Sequence, residues 1–303
     1  MFRGLITALV TPFTDGEFDA RAFEKILAFQ IENGSHGIVP CGTTGESPTL
    51  DEDEIRTIFD MSVAAVKGRK IPVIAGTGSN STRKSVAMTE MAKQCGADAA
   101  LIVVPYYNKP TQDGMYAHFK AIHDAVEIPI VLYNVPGRTG AEMSVDTVCR
   151  LAELPRIVAL KDATSDMSRT TAIKSRVKGG FSILSGEDAL AGACLAQGGD
   201  GCISVTSNIA PQECADFQNA WAAGDIQKFQ ALQARLMPLH KALFVETSPS
   251  PVKYAASKLG LCSDEVRLPL VSASPAARSA VDRAFAESGL IMERDSATLR
   301  RHG

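Results

Sequence analysis

The sequence has neither a paired cysteine motif nor a histidine cluster. Its seven cysteines are scattered without a C-x-x-C spacing, and its five histidines stand away from the ends of the predicted strands. This pattern disfavours a disulfide framework and a metal site built from thiolates or imidazoles. We expect reduced, mostly buried thiols in a cytoplasmic protein that holds no metal.

Long apolar runs and targeting signals are also missing. No run reaches the roughly 18 residues that a membrane helix needs. The short apolar stretch near the N-terminus is followed by Pro12 and by the acidic segment TDGEFD, with no small-residue cleavage site. We expect this stretch to form a first strand, and we expect no contact with a membrane.

Charge of one sign is not in excess. The formal net charge is −3, and lysine and arginine form no tracts, which disfavours a nucleic-acid partner. The sequence contains neither the G-x-G-x-x-G fingerprint of dinucleotide sites nor the G-K-[ST] ending of a phosphate loop. We therefore expect a small-molecule partner and no cofactor.

What the chain does contain is a series of eight short, β-branched apolar runs. They span residues 5–12, 37–45, 71–78, 99–107, 128–136, 156–164, 181–189 and 201–208. Their apolar character is nearly continuous rather than alternating, which is typical of strands covered on both faces of a parallel sheet.

The segments between these runs have the apolar spacing of helices. One begins with Asp19 as its predicted N-cap and ends at Gly34, and another begins with Ser81 and ends at Gly96. Polar N-caps and a glycine just past the last turn are ordinary helix boundaries. Strand and helix therefore alternate along the first 210 residues.

Short connections between parallel strands force right-handed crossovers, and a closed barrel is the economical arrangement of eight such units. We predict an α/β fold of the (β/α)8 TIM-barrel class with a C-terminal helical extension. A doubly wound open sheet is the alternative. Residues 1–224 are expected to form the catalytic barrel, and residues 225–303 are expected to form helices that pack on it.

Hydroxyl side chains follow several of the predicted strands. In a barrel of this class the active site lies at the carboxyl ends of the strands. The positions there include Thr43, Thr44, Tyr106, Tyr107 and Tyr133. The chain has only five tyrosines, so three at strand ends exceed what a core needs. Each tyrosine alone is a weak indicator, because a ring with one wet end is also common in structural roles.

Lys161 stands directly after three apolar residues in VALKDAT. Burial favours a neutral amine, and a neutral amine attacks a carbonyl carbon to form a Schiff base. Because no histidine stands at a strand end, tyrosine and threonine hydroxyls must move the protons. On spacing alone, the alternative is a lysine that reaches the rim or pairs with Asp162 or Glu187.

Two features suit a ligand that carries carboxylates. The loop GTTGES offers small residues with accessible backbone N–H groups and two hydroxyls. Arg138, in YNVPGRTG, follows a Pro-Gly turn, and a guanidinium holds a carboxylate through two parallel hydrogen bonds. A structural ion pair is the alternative role for this arginine.

Six segments carry a resemblance to a known family, in this order: CGTTGESPTL, VPYYNKPTQDGMYAHFKAI, LYNVPGRTG, VALKDAT, LSGEDA and GCISVTSN. They resemble the dihydrodipicolinate synthase branch of the N-acetylneuraminate lyase superfamily, over essentially the whole chain up to about residue 290. The resemblance implies a Schiff-base lyase that condenses pyruvate with L-aspartate 4-semialdehyde, on the route to lysine and diaminopimelate. It also implies a homotetramer built as a dimer of dimers.

The resemblance further implies catalytic roles for four residues. Lys161 matches the imine-forming lysine, and Tyr133 matches the tyrosine that relays protons over the imine. Thr43 matches the threonine that links this tyrosine into a relay. Tyr107 matches the tyrosine that crosses from the neighbouring subunit to complete it.

Substrate-binding roles follow from the resemblance in the same way. Thr44 falls where the family's G-x-x-G-E loop grips the pyruvate carboxylate, and the backbone at Ile203 lines the same pocket. Gly186 is a further substrate-binding position. Arg138 matches the arginine that holds the carboxylate of the semialdehyde.

Two other functions remain open from the sequence. The first is a pyruvate-dependent aldolase that acts on a keto-deoxy sugar acid or on N-acetylneuraminate. Arg138 discriminates here, because such members generally lack the Pro-Gly/Ser-Arg-Thr element. The second is a non-catalytic sensor barrel, which the presence of both Lys161 and Tyr133 disfavours.

One departure from the family pattern concerns feedback by lysine. Members that lysine inhibits present acidic and histidine side chains to the inhibitor at the dimer interface. This chain has Lys84 where such members carry a glutamate, whereas Asn80 and Tyr106 remain in place. Because like charges repel, we expect weak or absent inhibition by lysine.

Overall fold

The computed structural model describes residues 2–290 and has a parallel, eight-stranded sheet at its centre. The strands of this sheet are β1 (Gly4–Ala8), β4 (Gly37–Val39), β5 (Ile74–Gly76), β6 (Ala99–Val103), β7 (Ile130–Asn134), β8 (Ile157–Asp162), β9 (Ser182–Ser185) and β10 (Gly201–Ser204). Their order is β4-β1-β10-β9-β8-β7-β6-β5. A parallel bridge between Ile38 and Val73 brings the two edge strands together. The predicted barrel is therefore confirmed, and the open sheet is wrong.

Two further strands were not predicted. β2 (Phe13–Thr14) and β3 (Glu17–Phe18) form a small antiparallel hairpin after β1. Its turn is Asp15–Gly16, and both residues have positive φ, of 54° and 85°. The Asp-Gly dipeptide is a strong hairpin signal, because both central residues of a type I′ turn need the left-handed region.

Helices follow the barrel strands and then form the C-terminal layer. They are α1 (Ala20–Glu32), α2 (Glu52–Ala65), α3 (Thr82–Cys95), α4 (Gln112–Ala125), α5 (Pro136–Thr139), α6 (Val145–Leu151), α7 (Ser168–Lys174), α8 (Ala191–Ala196), α9 (Pro211–Ala222), α10 (Ile226–Ala242), α11 (Ser250–Lys258) and α12 (Pro275–Ser288). The predicted N-caps are confirmed, since the Asp19 and Ser81 side chains each accept a hydrogen bond from the first turn. Gly96 ends α3 at a φ of 90°.

The barrel interior is filled by apolar side chains that the strands direct inward. This cluster includes Ile6, Val39, Leu101, Val131, Tyr133, Leu184 and Ile203. A second cluster joins barrel residues such as Leu5 to Leu239 of α10 and Val281 of α12. The C-terminal helices thus share buried surface with the barrel. The division at residue 224 stays a prediction, and residues 291–303 lie outside the described residues.

The structure bears on the expectation that the thiols are unpaired and mostly buried. All seven cysteines are free, and four of them are buried, as their scattered spacing predicts. Burial raises the pKa of Cys95 to about 11, so that thiol is a weak nucleophile near neutral pH.

Between residues 2 and 290, no helix combines the length and the apolar character needed to cross a membrane.

Candidate active site

The centre of the candidate site is a lysine and a tyrosine on neighbouring strands. Tyr133 of β7 pairs in register with Lys161 of β8. Paired residues on parallel strands direct their side chains to the same face, and Lys161 Nζ lies 4.3 Å from the centroid of the Tyr133 ring. The two side chains are only 5% and 6% exposed. A buried amine and a buried phenol thus lie next to each other near the carboxyl end of the barrel strands.

The absence of a side chain at Gly186 leaves room for this lysine. A Cβ atom at Gly186 would lie 3.2 Å from Lys161 Cε and 2.8 Å from the Cβ of Ala163. The second distance is shorter than real Cβ contacts allow. Gly186 therefore borders the amine, at the position that the sequence marks as substrate-binding.

The structure does not form either ion pair that the sequence offered as an alternative for Lys161. Asp162 accepts a hydrogen bond from Arg169 Nε at 2.9 Å. Glu187 also makes no ion pair with Lys161 within the part of the chain described. Burial, followed by the neighbouring Asp188 carboxylate, raises the pKa of Glu187, and Lys161 acts in the opposite direction. The Lys161 amine is therefore held without a bonded carboxylate.

One strained residue directly precedes the GTTGES loop and another lies within it. Cys41 and Glu46 have φ values of 52° and 54°, in the left-handed region that non-glycine residues rarely adopt. The Thr11 hydroxyl donates to the carbonyl oxygen of Gly45 at 2.7 Å. Surrounding contacts must hold such a conformation in place.

Within this loop, some backbone N–H groups donate hydrogen bonds to loop carbonyls and others do not. Those of Gly45 and Glu46 donate to the carbonyls of Gly42 and Thr43. In the described structure, the N–H groups of Thr43 and Thr44 donate to no protein acceptor. Adjacent free N–H groups at a tight turn can receive an anion such as a carboxylate.

Two cavities connect the loop to the rest of the site. A small one of about 30 Å³ is lined by Thr43, Tyr133 and Leu101, among others. A larger one of about 510 Å³ is lined by Thr43, Tyr106 and Arg138, together with residues of α2 and α3. Thr43 lines both cavities, so it lies between Tyr133, which lines the smaller cavity, and the larger cavity.

Arg138 lies at the edge of the larger cavity. It belongs to the short helix α5, directly after β7, and its Nη2 donates to the carbonyl oxygen of Ser248 at 3.2 Å. In the described chain it pairs with no carboxylate, so the structural ion pair considered above does not form. The remaining guanidinium donors can bind a carboxylate.

Tyr107 stands apart from the other candidates. It is 88% exposed, has a φ of 69°, and lines neither of the two cavities. Its neighbour Tyr106 does line the larger cavity. Within one chain the structure therefore does not bring Tyr107 to Lys161.

Ile203 is fully buried on β10 and packs in the barrel interior with Tyr133 and Leu184. The turn that follows it is held by Asp188, which the sequence analysis did not single out. Its carboxylate accepts hydrogen bonds from the Ser204 hydroxyl at 2.5 Å and from the Val205 N–H at 2.8 Å. The only sequence signal was its place in LSGEDA.

A second feature that sequence reasoning missed is a buried ion pair behind the GTTGES loop. Lys253 Nζ lies 2.8 Å from Glu46 Oε1, and the two side chains are 0% and 1% exposed. The signal was available, because Lys253 follows Pro251 and Val252 much as Lys161 follows an apolar run. The partner could not be identified, since it lies 207 residues away.

The larger cavity also contains the residue that departs from the family pattern. Lys84, in the first turn of α3, lines it together with Ser79 and Glu52. Asn80 precedes this turn, and its carbonyl oxygen accepts a hydrogen bond from Asn108 at 2.9 Å. The cation therefore faces the same space as Tyr106.

The family model for the dihydrodipicolinate synthetase family matches residues 1–288. The chain belongs to this family. The 4-hydroxy-tetrahydrodipicolinate synthase of Rhodospirillum centenum is 56% identical over 291 residues, which cover 96% of this chain and 100% of that protein. The enzyme of the same name from Parvibaculum lavamentivorans is 53% identical, with the same two coverages.

Solved structures of the family agree with the fold described above. The dihydrodipicolinate synthase of Aquifex aeolicus is 44% identical, with a TM-score of 0.93 over 96% of this chain and 99% of that one. The chloride-inhibited enzyme of Acinetobacter baumannii, solved in complex with pyruvate, is also 44% identical, with a TM-score of 0.93 over 96% and 100%. The Cyanidioschyzon merolae enzyme with lysine bound is 41% identical, with a TM-score of 0.93 over 96% and 99%.

Proposed function

We propose that the chain is a Schiff-base-forming lyase that condenses pyruvate with L-aspartate 4-semialdehyde to 4-hydroxy-tetrahydrodipicolinate, in lysine and diaminopimelate biosynthesis. The family and relatives named for this activity, at 50–56% identity, support it. The observation that carries it is the Lys161 amine, buried beside Tyr133 and free of a bonded carboxylate. The chemistry needs no cofactor, because the amine itself activates the carbonyl compound.

In the first half of the reaction, the Lys161 amine attacks the carbonyl carbon of pyruvate. A C–N bond forms, the carbonyl oxygen leaves as water after two proton transfers, and a protonated imine results. Loss of a proton from the methyl carbon then gives the enamine. Tyr133 is assigned the proton transfers, with Thr43 connecting it to the outer pocket.

In the second half, the enamine carbon forms a C–C bond with the aldehyde carbon of the semialdehyde. The aldehyde oxygen takes a proton and becomes the hydroxyl group of the product. The amino group of the semialdehyde then attacks the imine carbon, and the C–N bond to Lys161 breaks. Ring closure thus releases the product and restores the free amine.

Two separate carboxylate-binding sites orient the substrates. The free N–H group and the hydroxyl of Thr44 receive the pyruvate carboxylate, beside the backbone of Ile203 and of Gly186. The guanidinium of Arg138 receives the carboxylate of the semialdehyde. The relatives' names favour this second substrate over the keto-deoxy sugar acid or N-acetylneuraminate of an aldolase.

The assembly follows from Tyr107. We assign it to the proton relay of a neighbouring copy, because it is 88% exposed and lines neither cavity of the site in its own chain. A homotetramer built as a dimer of dimers, located in the cytoplasm, accommodates this role. The barrel of residues 1–224 would supply the chemistry, and residues 225–303 the supporting helices.

The test mixes the protein with pyruvate and L-aspartate 4-semialdehyde and follows NADPH oxidation through an excess of the reductase that consumes the product. We expect rapid oxidation that disappears in Lys161→Ala. No oxidation, with pyruvate still trapped on Lys161 by borohydride, would contradict the second substrate and favour a sugar-acid aldolase. No trapping at all would contradict the Schiff-base chemistry.

A further inference from the structure

The loop that carries Thr43 and Thr44 is held in an unfavourable backbone conformation at both ends. Cys41 and Glu46 adopt the left-handed region without being glycines. The loop also lies close to β5, since a Cβ at Gly76 would come within 2.1 Å of the Cys41 carbonyl oxygen. A strained segment persists only where its surroundings over-determine it. Something must therefore fix Glu46.

Both carboxylate oxygens of Glu46 are bound by the C-terminal part of the chain. Oε1 accepts from Lys253 Nζ of α11 at 2.8 Å. Oε2 accepts from the backbone N–H of Arg267, between α11 and α12, at 3.0 Å. The side chain of Arg267 in turn binds Glu54 of α2, so the loop is tied on both sides.

Burial lowers the pKa of Lys253, and the Glu46 carboxylate acts in the opposite direction, favouring the charged amine. Its side chain is fully buried, and Nζ lies 4.1 Å from the centroid of the Phe13 ring. An apolar pair of equal volume often stabilises a core as well as a buried ion pair does. What an ion pair adds is direction, because its charge-assisted hydrogen bonds fix the carboxylate in one position.

We propose that Glu46 and Lys253 are a pair of positioning residues that hold the Thr43–Thr44 segment in the geometry that receives the pyruvate carboxylate, an inference that rests on the proposed function. The pair has a second effect at the same place. Lys253 neutralises a carboxylate two residues from Thr44, where an uncompensated negative charge would repel the anionic substrate.

The test measures the pyruvate concentration that half-saturates imine formation, by borohydride trapping on Lys161. Lys253→Met removes the cation, and Glu46→Asp keeps the charge but shortens the side chain by one methylene. We expect the half-saturating concentration to rise at least tenfold in Lys253→Met and at least fivefold in Glu46→Asp. The KM for the semialdehyde should stay within twofold, because Arg138 does not touch the pair.

Two further variants separate positioning from folding. Lys258→Met, on the same helix, breaks a half-exposed pair with Asp282 and should leave the half-saturating concentration unchanged. The double variant Glu46→Gln with Lys253→Gln replaces the ion pair by an amide hydrogen bond, and it should return to within threefold of the wild type. A merely structural role would lower the amount of trapped enzyme and leave its half-saturation unaltered.

The inference is overturned if folded Glu46→Asp keeps the wild-type half-saturation, a result that decides the question even where Lys253→Met does not fold. A double variant as weak as Lys253→Met would overturn it as well. Failure of the proposed function is read separately, from the wild type alone. A wild type that traps pyruvate but does not turn over the semialdehyde leaves the pair fully testable.

Discussion

The two tyrosines assigned to proton transfer stand in opposite surroundings. Tyr133 is 6% exposed on a central strand, in register with Lys161, whereas Tyr107 is 88% exposed in a loop with a left-handed backbone. A strand holds its side chain by the pairing of the sheet, so Lys161 and Tyr133 meet within one chain. A loop tyrosine without packing has no fixed position until something covers it. We expect chemistry at Lys161 to depend on Tyr133 in each chain and on Tyr107 only through assembly.

The largest effect is expected for Tyr133→Phe. Removing the hydroxyl beside the amine deletes the proton relay for both imine formation and condensation, and we expect kcat to fall about 10³-fold. Trapping of pyruvate by borohydride should slow as well. Tyr116→Phe is the matched control, because that ring lies under the Arg150 guanidinium on the outer helices. Wild-type trapping and turnover in Tyr133→Phe would contradict the assignment.

A smaller effect is expected for Tyr107→Phe. This hydroxyl serves turnover and not the first attack, so kcat should fall about 10²-fold while imine formation continues. Trapping by borohydride measures imine formation, and the coupled assay measures turnover. Applying both to Tyr133→Phe and Tyr107→Phe shows which of these two steps each hydroxyl serves. Trapping retained together with wild-type turnover in Tyr107→Phe would show that the exposed tyrosine has no catalytic role.

The sequence predicted the meeting of Lys161 and Tyr133, whereas the role of Tyr107 in a neighbouring subunit stays a prediction. Continuous apolar runs determine which residues form parallel strands, and the sheet then brings Lys161 and Tyr133 together without further information. Tyr107 lies in a loop with a φ of 69°, a backbone conformation for which the sequence gives no signal. The Glu46–Lys253 contact depends on the folding of the C-terminal helices onto the barrel, which no local pattern encodes.

The neighbour of Tyr107 gives the next prediction. Tyr106 lines the larger cavity together with Lys84, whose charge would repel a dibasic ligand. We expect lysine to inhibit with a constant above the sub-millimolar range, and Lys84→Glu to lower that constant about tenfold. Steady-state inhibition at subsaturating pyruvate measures both values. A sub-millimolar constant in the wild type would refute the prediction.

The smallest effect concerns the free energy of unfolding contributed by the ion pair between Arg267 and Glu54 of α2. The hydrogen bond from Arg267 lowers the pKa of Glu54 below its ordinary 4.5. A carboxyl whose pKa is lower in the folded state stabilises it above pH 4.5 and loses that contribution as pH falls through the folded pKa. Glu54→Gln should therefore cost about 1 kcal/mol at pH 7 and less near pH 3, because the contribution declines as pH falls below 4.5.

Urea unfolding at both pH values checks this expectation. Glu24→Gln on α1 is the control, because that side chain is exposed and should show no pH-dependent difference. The prediction fails if the cost of Glu54→Gln is equal at pH 7 and pH 3.

The most direct test of the comparison mixes two inactive variants, Lys161→Ala and Tyr107→Phe, after dissociation and reassembly. In a symmetric dimer with shared sites, a hybrid contains one site with the lysine of one chain and the tyrosine of the other. Random pairing then restores about a quarter of the wild-type activity, which is the result we predict. No recovery above the separate variants would contradict the account and place Tyr107 at the site of its own chain.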